Sequence, residues 1–317
     1  MSSDAIRLSL LGLPKLTSLS DLSTATHLSK GLLFRCAKYP DKQYHTYTIP
    51  KKTGGARTIS QPSAELKAVQ GWILRTILDY LSVSPACKGF VSGASTRDNA
   101  SPHIGAKAVM SLDIDDFFQN VKASYVFSLF RTIGYCARVA SILTSLCTFR
   151  GGLPQGAPTS PALANLTSLR LDARILGYVG RRGIVFTRYA DDLTFSAYSY
   201  GSLSRALPVI TKIIESEGFS INRRKTRISG PARRHIVTGL IVTHENVGVG
   251  RETYRELRAK LHRLATTPSK SVKKQEVAKV RGFMAYLNSV DRVRRTRLDK
   301  YLDRLRMKYP KSILTTF

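Results

Sequence analysis

Acidic residues are what this 317-residue sequence is short of: 21 Asp and Glu stand against 50 Lys and Arg, a formal net charge of +29. A chain with that imbalance repels itself unless something polyanionic screens it. Nucleic acid is therefore the first partner to expect, and an anionic membrane surface the second. Cysteine is scarce as well. Cys36, Cys87, Cys136 and Cys147 show no CxxC spacing, and the histidines form neither HxxxH nor HExxH, which points to packed, reduced thiols rather than zinc ligands or disulfides. No apolar run approaches the roughly 20 residues that span a bilayer. The N-terminus, with Asp4 early and only short apolar runs, lacks a signal-peptide pattern. A soluble, cytoplasmic protein without a membrane partner is expected. With 43% hydrophobic residues it is not a disordered chain, and its length allows two or three subdomains.

Against that basic background, the adjacent carboxylates of Asp191 and Asp192 stand out. Ile184, Phe186 and Arg188 alternate with Val185, Thr187 and Tyr189 before them, and Leu193, Phe195 and Ala197 alternate with Thr194 and Ser196 after them. The spacing predicts a hairpin with two like charges at its tip. Such a pair repels unless a cation lies between, and hard divalent ions prefer carboxylate oxygens. An ordinary polar turn is the other reading, since Asp is a favoured turn residue.

A second strand is read over Ala108 to Ile114, with Ala108, Met110, Leu112 and Ile114 on one face and Asp113 on the other, at the strand's end. Asp115 and Asp116 read as turn or helix-cap residues. Two β-type runs from Tyr44 to Ile59 flank a Gly-Gly turn and carry Lys51, Lys52 and Arg57, a solvated charged loop or, beside a metal, a clamp for triphosphate. Helices are expected from Ala64 to Leu81, from Ala162 to about Leu176 and from Leu203 to Glu217, the first capped by Ser63. The Gly151 to Pro161 stretch is dense in turn formers that allow close approach. Asn99 and His103, taken alone, read as structural loop residues. Gly218 to Arg227 ends in a basic run. Residues 251–317 hold nineteen Lys and Arg against six Asp and Glu, with Tyr254, Leu257, Leu261 and Leu264 on one helical stripe and Val277, Val280, Met284 and Leu287 on another.

In order, these stretches resemble the reverse transcriptase family. Asp113-Ile114-Asp115-Asp116-Phe117-Phe118 looks like its first palm motif and Leu153-Pro154-Gln155-Gly156 like its template-nucleotide loop. Tyr189-Ala190-Asp191-Asp192 looks like its signature box, and Gly218 to Lys225 like the palm motif that follows. Asn99-Ala100-Ser101-Pro102-His103 and Val237-Thr238-Gly239 are similar to elements of bacterial retron reverse transcriptases.

The resemblance implies an α+β right-hand polymerase. Residues 1–35 would form an N-terminal helical segment and 36–107 the fingers, with 123–160 returning to the fingers and palm junction. Residues 108–122 and 161–245 would form an antiparallel-sheet palm, and 246–317 a basic helical thumb. It also implies two Mg²⁺ ions, with Mn²⁺ as a substitute, held by Asp113, Asp191, Asp192 and the Ile114 carbonyl. Phe118, which alone reads as core, would exclude a 2′-hydroxyl. Gln155 and Gly156 would position the nucleotide, and Lys51, Lys52, Arg57 and Lys225 its phosphates. RNA would be bound through Asn99, His103, Val237, Thr238, Gly239, Arg251, Arg255 and Arg258. The implied partners are dNTPs, a cognate noncoding RNA, the RNA-linked single-stranded DNA made from a 2′-hydroxyl, a separately encoded antiphage effector and a host RNase H. An RNA-binding scaffold and a group II intron-like enzyme are the competing readings.

Overall fold

The structure is a computed structural model and describes residues 3–50, 55–268 and 271–316. Three short helices open the chain: α1 (Ser3–Leu10), α2 (Leu19–Thr26) and α3 (Lys30–Lys38). Ser18 and Ser29 start the second and third by accepting from the Asp21 and Leu32 amides, donors that a helix start leaves unsatisfied. β1 (Tyr44–Pro50) and β2 (Ala56–Pro62) then pair antiparallel, Tyr44 opposite Pro62 and Pro50 opposite Ala56. Lys51 and Lys52 lie outside the described residues.

Ser63 caps α4 (Ala64–Thr76) as the sequence indicated, accepting from the Leu66 amide, but the helix stops short of Leu81. Ile77 leaves helical geometry at φ −122°, and the chain tightens into a 3₁₀ turn over Leu78–Tyr80. Three residues per turn rotate the apolar stripe out of phase. Tyr80, three residues on from the buried Ile77, is 60% exposed.

α5 (Thr96–Ala100) follows, held by a reciprocal capping box between Ser95 and Asp98. β3 (Ala108–Asp113) leads into α6 (Phe117–Asn120), α7 (Ala123–Thr132) and α8 (Ala137–Cys147). The helix expected from Ala162 to Leu176 is two, α9 (Ser160–Thr167) and α10 (Leu169–Gly180). The break falls at Ser168, whose hydroxyl donates back to the Ala164 carbonyl at 2.7 Å. That bond competes with continuation of the helix.

β4 (Val185–Tyr189) and β5 (Asp192–Ala197) form the hairpin read from the alternation, with Tyr189 opposite Asp192. α11 (Tyr200–Ser216) buries Leu203, Ala206, Ile210 and Ile214, a stripe at intervals of three and four. After β6 (Arg227–Ser229), the sheet order is β4-β5-β3-β6, antiparallel throughout, so β3 lies between the hairpin and the strand that follows α11.

A small sheet of β7 (His235–Val237), β8 (Leu240–Val242) and β9 (Val247–Gly248) precedes α12 (Arg251–Thr266), α13 (Lys274–Val290) and α14 (Arg292–Lys308). The two expected helices are thus joined by a third. Charge obscures α14 in the sequence, yet Leu298, Leu302 and Leu305 are its buried stripe.

Two hydrophobic cores result. The larger runs from Leu8 to Phe219 and lies under the four-stranded sheet; the smaller joins Val237, Leu240 and Val242 to Leu257, Leu261, Met284 and Leu298. Ala100 and Val109 belong to the smaller core, so α5 and β3 couple the two. Among the described residues no helix is long and apolar enough to cross a membrane.

Candidate active site

Backbone pairing brings the three candidate carboxylates to one end of the sheet. Asp113 is the cross-strand partner of Asp192, and the Ile114 amide donates to the Asp191 carbonyl at 3.0 Å. The turn between β4 and β5 is only Ala190 and Asp191, and Ala190 takes a φ of 56°. Two-residue hairpins require such a backbone at their centre, and Gly or Asn usually supplies it.

The segment after α11 completes the cluster. Ser220 to Asn222 runs beside the end of β3: the Asp115 amide donates to the Ser220 carbonyl at 2.9 Å and the Asn222 amide to the Asp113 carbonyl at 2.8 Å. Asn222 then builds the next turn. Its Oδ1 accepts from the Arg224 and Lys225 amides, and its Nδ2 donates to Asp115 Oδ1 at 2.8 Å. This places Lys225 Nζ at 2.9 and 2.8 Å from the two oxygens of Asp113. Sequence reading passed over Asn222; its position at the end of Gly218-Phe219-Ser220-Ile221 is the only signal it gives.

Electrostatics describe a site short of positive charge. Burial pushes the Asp191 carboxyl up, and the charge of Asp113 adds to the effect, while Lys225 and Arg57 oppose it. Asp192 keeps one side open to solvent, yet burial, then Asp191 and Asp113, push it up to about 6. Lys225 is raised first by its hydrogen bonds to Asp113.

The donor set fits hard divalent cations: oxygen ligands only, close enough to perturb one another, with an ammonium already drawn to one of them. Among the described residues no three ligand side chains converge as a finished metal cage. Lys225 holds both oxygens of Asp113, and a metal at that carboxylate would have to share it or displace the ammonium.

The loop expected to position the nucleotide is tied on both sides. The Leu153 amide donates to the Phe118 carbonyl at 3.1 Å, and the Ser60 amide of β2 to the Gln155 carbonyl at 2.8 Å. The loop is thereby tied between the first motif and the β1–β2 hairpin. Gly156 has a φ of 125°, and a Cβ there would lie 2.9 Å from the Ser60 carbonyl oxygen. Only glycine allows that approach. Phe118 is half-buried, edge-on to Phe117 at 5.6 Å, so it is neither pure core nor free. Arg57 is exposed near the turn end of the hairpin, opposite Ile49, and its charge acts on Asp191.

Beneath the acidic turn lies a polar network the sequence did not disclose. Arg188 Nε and Nη2 donate to the two oxygens of Asp172 at 2.8 and 2.7 Å, and Nη1 donates to Asn165 Oδ1 at 3.0 Å. Nη1 also reaches the Ala190 carbonyl at 3.4 Å. Asn165 in turn donates to the Gly89 carbonyl at 2.8 Å.

Direct RNA contact is not available to Asn99, His103 or Val237, contrary to expectation, because all three side chains are interior. His103 lies between the hydroxyls of Ser196 and Thr187 at 2.7 and 2.8 Å, on the sheet. Asn99 Nδ2 donates to Thr238 Oγ1 at 3.5 Å, and Thr238 Oγ1 donates to the Thr96 carbonyl at 3.3 Å. The two motifs, far apart in sequence, are one joint. Thr238 is half-buried with a φ of 45°, and Gly239 is exposed with a φ of 80°. Arg97 clamps the same joint, donating to the carbonyls of Val247 and Val290. Arg251, Arg255 and Arg258 are exposed on α12, with the Arg258 guanidinium 4.4 Å from the centre of the Tyr301 ring.

Three carboxylates at one sheet end, an ammonium on one of them and a glycine-bearing loop tied to the first motif are the arrangement expected of a polymerase active site. The profile of the family described as "Reverse transcriptase (RNA-dependent DNA polymerase)" matches residues 49–267. The Ec86 retron reverse transcriptase of Escherichia coli is 46% identical over 98% of this chain and 96% of its own length. The Mx65 retron reverse transcriptase of Myxococcus xanthus is 35% identical over 91% of this chain and 72% of its own length. Among solved structures, a telomerase from Candida albicans overlaps with a TM-score of 0.47 at 13% identity, covering 83% of this chain and 59% of that one. The chain belongs to the reverse transcriptase family, the RNA-directed DNA polymerases, and the retron enzymes are its relatives there.

Proposed function

We propose that this chain copies part of a cognate structured noncoding RNA into single-stranded DNA that stays joined to the RNA through a 2′-hydroxyl, and that it serves antiphage defence in the cytoplasm with a separate effector and a host RNase H. Residues 36–107 and 123–160 act as fingers, 108–122 and 161–245 as palm and 246–317 as thumb. The observation that carries the reading is the convergence of Asp113, Asp191 and Asp192 at one end of the sheet, with Lys225 on Asp113.

Asp113, Asp191 and Asp192, with the Ile114 carbonyl, would hold two divalent ions, Mg²⁺ or Mn²⁺ in its place, and these would supply activation of the attacking hydroxyl and charge neutralisation at the leaving pyrophosphate. Lys225, released from Asp113, supplies a proton or a positive charge to the departing phosphates. Phe118 packs under the sugar and Gln155 aligns the nucleotide with its template base. Arg57, with Lys51 and Lys52, meets the triphosphate.

RNA recognition falls to a groove of about 840 Å³ between α5, the β7–β9 sheet and the starts of α12 and α14. Six arginines line it, Arg97, Arg234, Arg251, Arg292, Arg294 and Arg297, against Asp98 and Asp291. Both carboxylates are engaged, Asp98 in the α5 cap and Asp291 with Arg294. The surplus charge, with two helix N-termini alongside, suits phosphate.

The test is Mg²⁺-dependent DNA synthesis on the RNA that copurifies with the protein. Asp191→Asn/Asp192→Asn should abolish synthesis while leaving the RNA bound; undiminished synthesis would refute the assignment of the site.

A further inference from the structure

Phe90 is an aromatic residue held where packing gives it no reason to be. Its φ is 57°, a left-handed conformation that bulky side chains avoid, and it is 55% exposed. Neither a glycine nor a buried contact explains the conformation.

The segment that carries Phe90 is firmly placed. The Arg188 amide donates to the Ala86 carbonyl and the Lys88 amide to the Arg188 carbonyl, both at 2.8 Å, so residues 86–88 run along β4. Asn165 fixes the Gly89 carbonyl at 2.8 Å. Gly89 is pressed against the acidic turn so closely that a Cβ there would come within 2.6 Å of the Ala190 amide nitrogen and 3.0 Å of the Tyr189 carbonyl carbon. The chain is thus pinned to the turn at residue 89 and forced left-handed at residue 90. The Phe90 ring centre then stands 6.4 Å from that of Phe118 and 6.3 Å from that of Tyr189, tilted by 60° and 38°. At those angles it stacks on neither neighbour, and its exposed surface is left for another flat group.

We infer that Phe90 is a stacking platform for a nucleobase at the point of synthesis, one ring of an aromatic wall shared with Phe118 and Tyr189. The inference rests on the polymerase reading above. Backbone strain of this kind persists where the surrounding structure enforces it, and it concentrates at ligand sites. Stacking suits a polymerase because every base has a π face, so an exposed ring accepts all four. The base is either the template base awaiting its partner or the last base of the primer; the chemistry is the same.

An RNA template annealed to a dideoxy-terminated DNA primer, with 2-aminopurine at the first unpaired template position or at the primer's 3′ end, reports stacking as fluorescence quenching without any catalysis. Wild-type protein should quench at one position, and that position identifies the base. Phe90→Ala should lose the quenching and bind the duplex on the order of tenfold more weakly, while Phe90→Tyr retains both. Phe90→Gly separates stacking from folding: glycine accepts the left-handed backbone, so the melting temperature should hold or rise as quenching is lost. Absence of quenching by the wild type at both positions overturns the inference. So does quenching unchanged in Phe90→Ala, or a Phe90→Gly variant that loses thermal stability together with quenching. Extension of the same duplex with a free 3′-hydroxyl, dNTPs and Mg²⁺ tests the polymerase reading separately.

Discussion

Arg188 and Asp172 form a two-pronged ion pair in which neither side chain has any exposed surface, directly beneath the turn that carries Asp191 and Asp192. The third arm of the guanidinium is divided between Asn165 and the Ala190 carbonyl, so the turn is tied to α9 and α10 at once. A buried pair adds little net stability over an apolar one, but removing one partner strands a charge in the interior. Asp172→Ala should therefore lower the unfolding free energy by about 3–5 kcal/mol in urea melts. Asp172→Leu/Arg188→Met should recover most of that stability without recovering polymerase activity, because the bonds to Asn165 and Ala190 stay lost. A double variant as active as the wild type would show that the pair does not position the turn.

A second prediction concerns Asp113, Asp191 and Asp192. Between the ordinary carboxylate range and about 6, native Asp192 keeps a proton that the unfolded chain has released. Without metal, its contribution to stability therefore falls as pH rises through that window. A metal bound there would have to displace the same proton. Added Mg²⁺ should raise the melting temperature, more at pH 8 than at pH 5.5, and Asp191→Asn/Asp192→Asn should remove the Mg²⁺ effect at both. Equal Mg²⁺ shifts in the variant and the wild type would place the ions elsewhere.

His103 works in the opposite direction. Burial pushes it down to about 4, so below its ordinary value near 6.5 the unfolded chain takes a proton that the native protein refuses. Its contribution is complete above that value and is lost as pH falls toward 4, on the order of 2–3 kcal/mol across the window. His103→Gln, neutral at every pH, should flatten the slope of stability between pH 7 and pH 5. Because Asp192 titrates in the same range with the other sign, the difference between variant and wild type is the measure. Parallel slopes would mean that His103 protonates in the folded state.

Elements with a strong local pattern are legible in the sequence itself. The alternation around Asp113 and through Phe186 to Phe195 becomes β3, β4 and β5, and the Leu203, Ala206, Ile210 and Ile214 stripe becomes α11. The order of motifs located the three carboxylates, because strand ends and a hairpin tip are fixed by the same period. What stayed hidden depends on partners distant in sequence. Nothing local to Asp172 points to Arg188, and Asn99 and His103, legible alone as structural loop residues, give no sign that β4, β5 and Thr238 are what they bond to. Burial of a polar side chain is set by what satisfies its hydrogen bonds, and periodicity carries no record of that. Local hydrogen bonding also broke the expected helix at Ser168.

The last prediction follows from the corrected placement of the RNA elements. Arg251, Arg292 and Arg297 line the groove and form no ion pair among the described residues. Arg255 and Arg258 border a smaller groove of about 380 Å³ with His262 and Tyr301. If the larger groove carries the phosphates, Arg251→Glu, Arg292→Glu and Arg297→Glu should each weaken RNA binding and reduce the slope of log affinity against log salt by about one. Arg255→Glu and Arg258→Glu should act the same way only if RNA extends along α12. Val237→Ala should behave differently. Its side chain is 1% exposed in the smaller core, so truncation opens a cavity and lowers the melting temperature, while the salt slope stays that of the wild type. A changed slope in Val237→Ala, or an unchanged slope in all three groove variants, would move RNA recognition away from the groove.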